Sequence, residues 1–191
     1  MATYKDCLIL AAAFLQLDEA AAFLRPPGYS PDAVPDDVAA EVETLTMCAR
    51  LAVDEAARDY VRLIKTAFAS SNNKRLYFSA LDQNLTGVAD VRRDGKRVPF
   101  KLRQGFIEVK TDALYEVTFA YAPQNCAITD ELPWGNRIPP RAIAYGAACE
   151  YCLINGVPGE AALWNKRFKD ALAKLKTPLA ERVVKRRRWI L

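Results

Sequence analysis

Apolar residues recur at helical spacing toward both ends of the chain and at every second position through its middle. Thr3 suits an N-cap with Asp6 three positions on, and Leu10, Phe14, Leu17 and Ala21 follow at spacings of four, three and four, which predicts an amphipathic first helix. Arg25, Pro26, Pro27, Gly28, Tyr29, Ser30 and Pro31 break it. A second helix is expected from Pro35, with Asp36, Asp37 and Glu41 at its positive dipole end. Its buried stripe reads Val38, Val42, Leu45, Ala49, Ala52, Ala56 and Leu63, which carries it to about Ala67. At 1.5 Å per residue such a helix spans about 45 Å, which leaves room for a kink or a projecting end.

From Arg75 the period changes to two. Leu76 and Phe78, Val88 and Val91, Val98 to Leu102, Phe106 to Val109, and Leu114 to Tyr121 read as roughly five short strands, with an Asp94-Gly95 hairpin turn. Helical character returns at Pro140, well suited to a first helical position, and runs to Asn155 with Gly156 as a stop. A last helix starts at Pro158 and buries Ala161, Trp164, Phe168, Leu172 and Leu175 before Thr177 and Pro178 end it. The pattern predicts an α+β fold in which N- and C-terminal helix pairs form an antiparallel bundle with a small antiparallel β-sheet or open barrel inserted. The expected division is a helical pair over 1–70, a β insertion over 71–130, a second helical pair over 131–176 and a tail over 177–191.

Composition narrows the chemistry. The 191 residues contain no histidine, which removes the commonest general base and metal ligand. Cys149 and Cys152 form a C-x-x-C without a partner pair, inside a predicted helix, and read as core packing, as do the other cysteines, Cys7, Cys48 and Cys126. The glycines match no phosphate-binding spacing, and the acids Asp36, Asp37, Glu41 and Glu43 have a sufficient explanation in the helix dipole. No cofactor, metal or catalytic residue is therefore expected. An enzyme using Asp54, Glu55 or Asp59 is the least favoured alternative. No apolar run is long enough to cross a bilayer and the N-terminus lacks a signal-peptide pattern, so a soluble protein made in the cytoplasm is expected.

Charge adds two features. Arg92, Arg93, Lys96 and Arg97 bracket the predicted hairpin turn, a tip that could touch phosphates and that, by the resemblance given below, would face the DNA channel or a neighbouring ring. The last ten residues carry Arg182, Lys185, Arg186, Arg187 and Arg188 and then Trp189, Ile190 and Leu191. The rest of the chain is left near neutrality. Cations followed by an apolar plug suit docking into an acidic groove on another protein. A tail of one copy binding a different surface of the next would be a heterologous contact, the kind that closes rings.

In organisation the chain resembles the head-to-tail connector, or adaptor, proteins of tailed bacteriophages, including the tail tubular protein A type. The residues that carry the resemblance are Leu45, Cys48, Leu51, Ala52, Ala56 and Tyr60; Tyr115, Val117, Phe119 and Tyr121 before Pro123; Leu132-Pro133 to Ile138-Pro139; and the helix of Ala144, Tyr145, Gly146, Ala147, Ala148, Glu150 and Tyr151. Beyond Gly156, Ala161, Trp164, Phe168 and Leu172 complete it. The resemblance implies a virion structural protein without catalysis. Its own copies, twelve by family resemblance, would ring the portal protein, extend the channel for packaged DNA and receive a downstream tail protein. The alternative is an accessory nucleic-acid-binding protein that uses the basic tail and hairpin.

Overall fold

A computed structural model describes residues 2–25, 36–123 and 126–175. Among them the chain is α+β, with helices α1 (Tyr4–Phe14), α2 (Asp18–Leu24), α3 (Asp36–Glu55), α4 (Pro140–Ile154) and α5 (Pro158–Ala173). Between α3 and α4 lie strands β1 (Leu63–Ser70), β2 (Arg75–Tyr77), β3 (Leu85–Arg93), β4 (Lys96–Arg97), β5 (Lys101–Arg103), β6 (Phe106–Glu108) and β7 (Leu114–Tyr121).

The N-terminus begins as expected and then departs. Thr3 accepts the Asp6 N–H, and its own N–H and hydroxyl donate to the Asp6 carboxylate, a reciprocal cap. The single helix expected to Ala21 is instead two, broken at Gln16, which adopts φ 59°. The buried face is Tyr4, Cys7, Leu8, Ala11 and Ala12, not the stripe through Leu10, Phe14 and Leu17. The small alanines let α1 lie close against α4, and the larger residues fill the flanks.

The second helix also ends earlier than its periodicity suggests. Glu55 leads into one wide turn at Ala56–Tyr60, where the Val61 N–H reaches back five residues to the Ala56 carbonyl at 2.8 Å. The chain then turns extended, so Leu63 opens a strand and does not close a helical stripe. The β segment accordingly begins at Leu63, inside the stretch assigned to the first helical pair. The helix start at Pro35 and the Pro26–Pro31 break lie outside the described residues. At the other end, Pro140 and Pro158 both stand in first turns, Gly156 takes φ 71°, and α5 buries Ala161, Trp164, Phe168 and Leu172 as expected, whereas Leu175 lies past its end and is only partly buried.

Residues from both ends share hydrophobic clusters. Leu8, Leu24, Leu45 and Ala144 meet in one, and Cys7, Val53, Ile143, Phe168 and Leu172 in another. Phe14, Tyr145 and Trp164 stack with centroids 5.2–5.8 Å apart and tie α1, α4 and α5 together. The expected single sheet or open barrel is two antiparallel sheets, ordered β1-β7-β3-β4 and β2-β6-β5. They enclose a cluster of their own, with Leu76, Val91, Ile107, Val117 and Phe119 at its centre. Ala57, Leu63 and Ala122 form the bridge between the two cores, and beside them the Trp134 indole N–H donates to the Val61 carbonyl at 2.7 Å.

Candidate functional site

The hairpin that sequence singled out forms as expected. Asp94 and Gly95 both take positive φ, 50° and 75°, and set Arg92 opposite Arg97 and Arg93 opposite Lys96. Like charges directly opposite repel, and the fold offsets this with Asp90. Its carboxylate accepts from Arg92 Nε at 2.8 Å and Arg97 Nε at 3.1 Å. Arg93 approaches Asp94 at 3.5 Å and donates to Thr111 Oγ1. The four cations are thus gathered at one tip, but three are already engaged within the chain, and Lys96 alone of the four makes no ion pair among the described residues.

Burial works to raise the Asp90 carboxyl, yet the hydrogen bond from Arg92 and the charge of Arg97 outweigh it and hold the group below its usual value. A folded pKa below the unfolded one contributes stability that is present above the unfolded pKa, about 3.9, and is lost as pH falls through the folded one. Thermal melts of wild type and Asp90→Asn should therefore differ at neutral pH and converge as pH drops below about 4.

Sequence reading missed a second cationic feature, a cleft of about 420 Å³ lined by Lys74, Lys101 and Lys110 over Pro99, Phe100 and Val109. The pairing of β2 and β5 on either side of β6, with Arg75 and Lys101 both opposite Glu108, brings these lysines together. Lys74 sits at φ 60° with its N–H held by the Asp112 carboxylate at 2.6 Å, and Val109 N–H donates to the Lys74 carbonyl. Glu108 also lines the cleft. The hydrogen bond from Arg103, aided by Lys101 and Arg75, holds its carboxyl below the usual range. None of the three lysines is in an ion pair among the described residues, so the cleft offers positive charge over an apolar floor, a setting for an anionic group. Only separations of 27 and 9 residues in sequence link them, which no local pattern reveals.

The remaining candidates are dispersed. Asp54 pairs with Arg58 at 2.8 Å on the exposed side of α3. Glu55 faces a different crevice with Glu150 and Lys169. Burial raises the Glu55 carboxyl, Lys169 opposes it, and Asp59 and Glu150 add to it. Cys149 and Cys152 are buried free thiols whose pKa is raised by burial first, away from the thiolate a nucleophile or metal ligand needs. Among the described residues no three metal-ligating side chains cluster, and no helix is long and apolar enough to cross a membrane.

Comparison with known proteins found no matching family model and no match among curated sequences.

On the outer face of the larger sheet the geometry gives something the sequence did not. Register places Ile64, Phe68 and Leu114 on one side of β1 and β7, and they are 60%, 69% and 60% exposed. On the same side the Thr66 and Thr118 hydroxyls are hydrogen-bonded at 3.2 Å between Ile64 and Phe68, and Glu116 stands opposite Phe68. Residues Arg182, Lys185, Arg186, Arg187, Arg188, Trp189, Ile190 and Leu191, the sequence's other docking candidates, lie outside the described residues.

Proposed function

We propose that this chain is a virion structural protein, a head-to-tail adaptor whose copies ring the portal, extend the DNA channel and carry the downstream tail protein. In this reading the five helices act as one antiparallel bundle, a scaffold from which the strands project toward neighbouring subunits. The observation that carries it is the exposure of Ile64, Phe68 and Leu114 on the outer face of a β part that has its own core. A part that folds around its own interior keeps its outer face free for other subunits. The resemblance in organisation to phage connectors points the same way.

Electron microscopy of the chain mixed with portal from its own system tests the proposal. Rings seated on the portal are expected, and a chain that stays monomeric and unattached with portal present would overturn it. Deleting Arg182 to Leu191 should abolish attachment while the circular dichroism of the helices is unchanged. Undiminished attachment would remove the tail from the docking role.

The cleft of Lys74, Lys101 and Lys110 favours one further reading, an accessory nucleic-acid-binding protein. Filter binding at two salt concentrations separates the two. Tight binding by the monomer that falls steeply with salt belongs to the nucleic-acid reading.

A further inference from the structure

The smaller sheet turns a face of mixed aromatic and cationic side chains to solvent. Register sets Arg75 and Lys101 on either side of Glu108, and Tyr77 and Arg103 on either side of Phe106, so these six side chains share one face. Leu76 and Ile107, between the two rows, point the other way into the β core. Tyr77 is 46% exposed and meets the Phe106 ring at 6.0 Å between centroids, and the Arg75 guanidinium lies 5.0 Å over that same ring. The lysine cleft opens beside this face and shares Lys101 and Glu108 with it, so Lys74 and Lys110 extend its positive rim.

Charge here is one-sided at close range. Lys74, Arg75, Lys101, Arg103 and Lys110 surround Glu108, which Arg103 already engages at 2.9 Å. Even with Asp112, which accepts the Lys74 N–H at 2.6 Å, five cations stand against two acids. The other acids of the β part answer other groups: Asp82 faces Lys65, Asp90 and Asp94 face the hairpin arginines, and Glu116 stands opposite Phe68 and Arg92 on the larger sheet.

An exposed ring flanked by cations fits a ligand that alternates planar bases with phosphates. A base can lie on such a ring only where its own face is free, which a single strand offers and a stacked duplex withholds. We infer that the outer face of β2, β6 and β5 binds single-stranded nucleic acid, with a base stacked on Tyr77 and the neighbouring phosphates on the lysines of the cleft. The inference deepens the nucleic-acid reading and rests on it, and it leaves ring formation untouched.

Fluorescence anisotropy of the full-length chain with a labelled oligothymidylate, read at several salt concentrations, tests it. Tyr77→Ala is expected to weaken binding roughly 5- to 100-fold with the salt slope unchanged, because it removes stacking and no charge. Tyr77→Phe keeps the ring and should bind like wild type. Replacing Lys74, Lys101 and Lys110 together with glutamine should weaken binding and reduce the slope of log affinity against log salt by about 2, at about 0.7 for each phosphate contact on a single strand. Every residue replaced is exposed, so circular dichroism should match wild type throughout. A duplex of the same length should not respond to Tyr77→Ala. Single-strand binding that either Tyr77→Ala or the lysine variant leaves intact would overturn the inference and leave the nucleic-acid reading to the C-terminal cations. So would a Tyr77→Ala loss that is equal on duplex and single strand. A wild type that binds no nucleic acid would overturn the inference and the nucleic-acid reading together.

Discussion

Replacing Phe168 with alanine is expected to lower the free energy of unfolding by about 3–5 kcal/mol, read from the shift of a urea midpoint. Phe168 is buried in the cluster that joins α3, α4 and α5, beside Ala52, Val53, Ala56 and Ile143, with its ring edge-on to Tyr60 at 6.3 Å. Two of its ring carbons lie 3.0 and 3.1 Å from where a Cβ on Gly146 would stand, so the ring fills the space that a glycine leaves open on α4. The side chains around it are short and their backbones are helical, which leaves little that can collapse into the hole. The loss is a large share of the roughly 5–15 kcal/mol that holds a domain folded. Gly146→Ala tests the same contact from the other side. Its Cβ would meet Ala52 Cβ at 2.6 Å, a collision that costs about 1–3 kcal/mol. Because that closest atom belongs to Ala52 and not to the ring, removing the ring relieves only the two lesser contacts and leaves the main collision in place. The double variant should be less stable than either single one.

Where sequence reading succeeded, a local cause and the tertiary outcome agreed. Pro140 and Pro158 can only begin helices, Gly156 accepts a left-handed turn, and the stripe from Ala161 to Leu172 has nowhere else to be buried. The hairpin at Asp94-Gly95 is likewise decided within four residues. Strand β1 was hidden for the opposite reason. Ala56, Tyr60 and Leu63 continue the helical spacing of Val42 to Ala52, and only the five-residue reach of Val61 to Ala56 changes the chain's direction. Once past it, Ile64, Thr66 and Phe68 share one face at period two, a pattern that a helical reading spreads around a cylinder.

The candidate sites divide the same way. The cations of the hairpin are neighbours in sequence and in space, yet the residue that neutralises them, Asp90, was given no part in the sequence reading although it lies two positions before Arg92. The lysine cleft and the Phe68 face are assembled across turns and sheet register, so they exist only once the strands are paired.

Phe119→Ala should cost about as much as Phe168→Ala, about 3–5 kcal/mol, but the loss should fall elsewhere. Phe119 sits fully buried on β7, the strand between β1 and β3, against a cluster drawn entirely from residues 67–121. None of the helical clusters contributes a fully buried residue to it. The two interiors touch through Ala57, Leu63 and Ala122 and through the Trp134 to Val61 hydrogen bond. Local unfolding follows shared contacts, so an opening caused at Phe119 should stop near that bridge. Amide hydrogen exchange is expected to speed up across 63–121 while α1, α3 and α4 keep their protection, the reverse of the pattern that Phe168→Ala should give. Equal loss of protection in both parts would mean that the bridge couples them into one cooperative unit. The β part would then be no independent platform for contacts between subunits, since a neighbour's pull on its outer face would reach the helices directly.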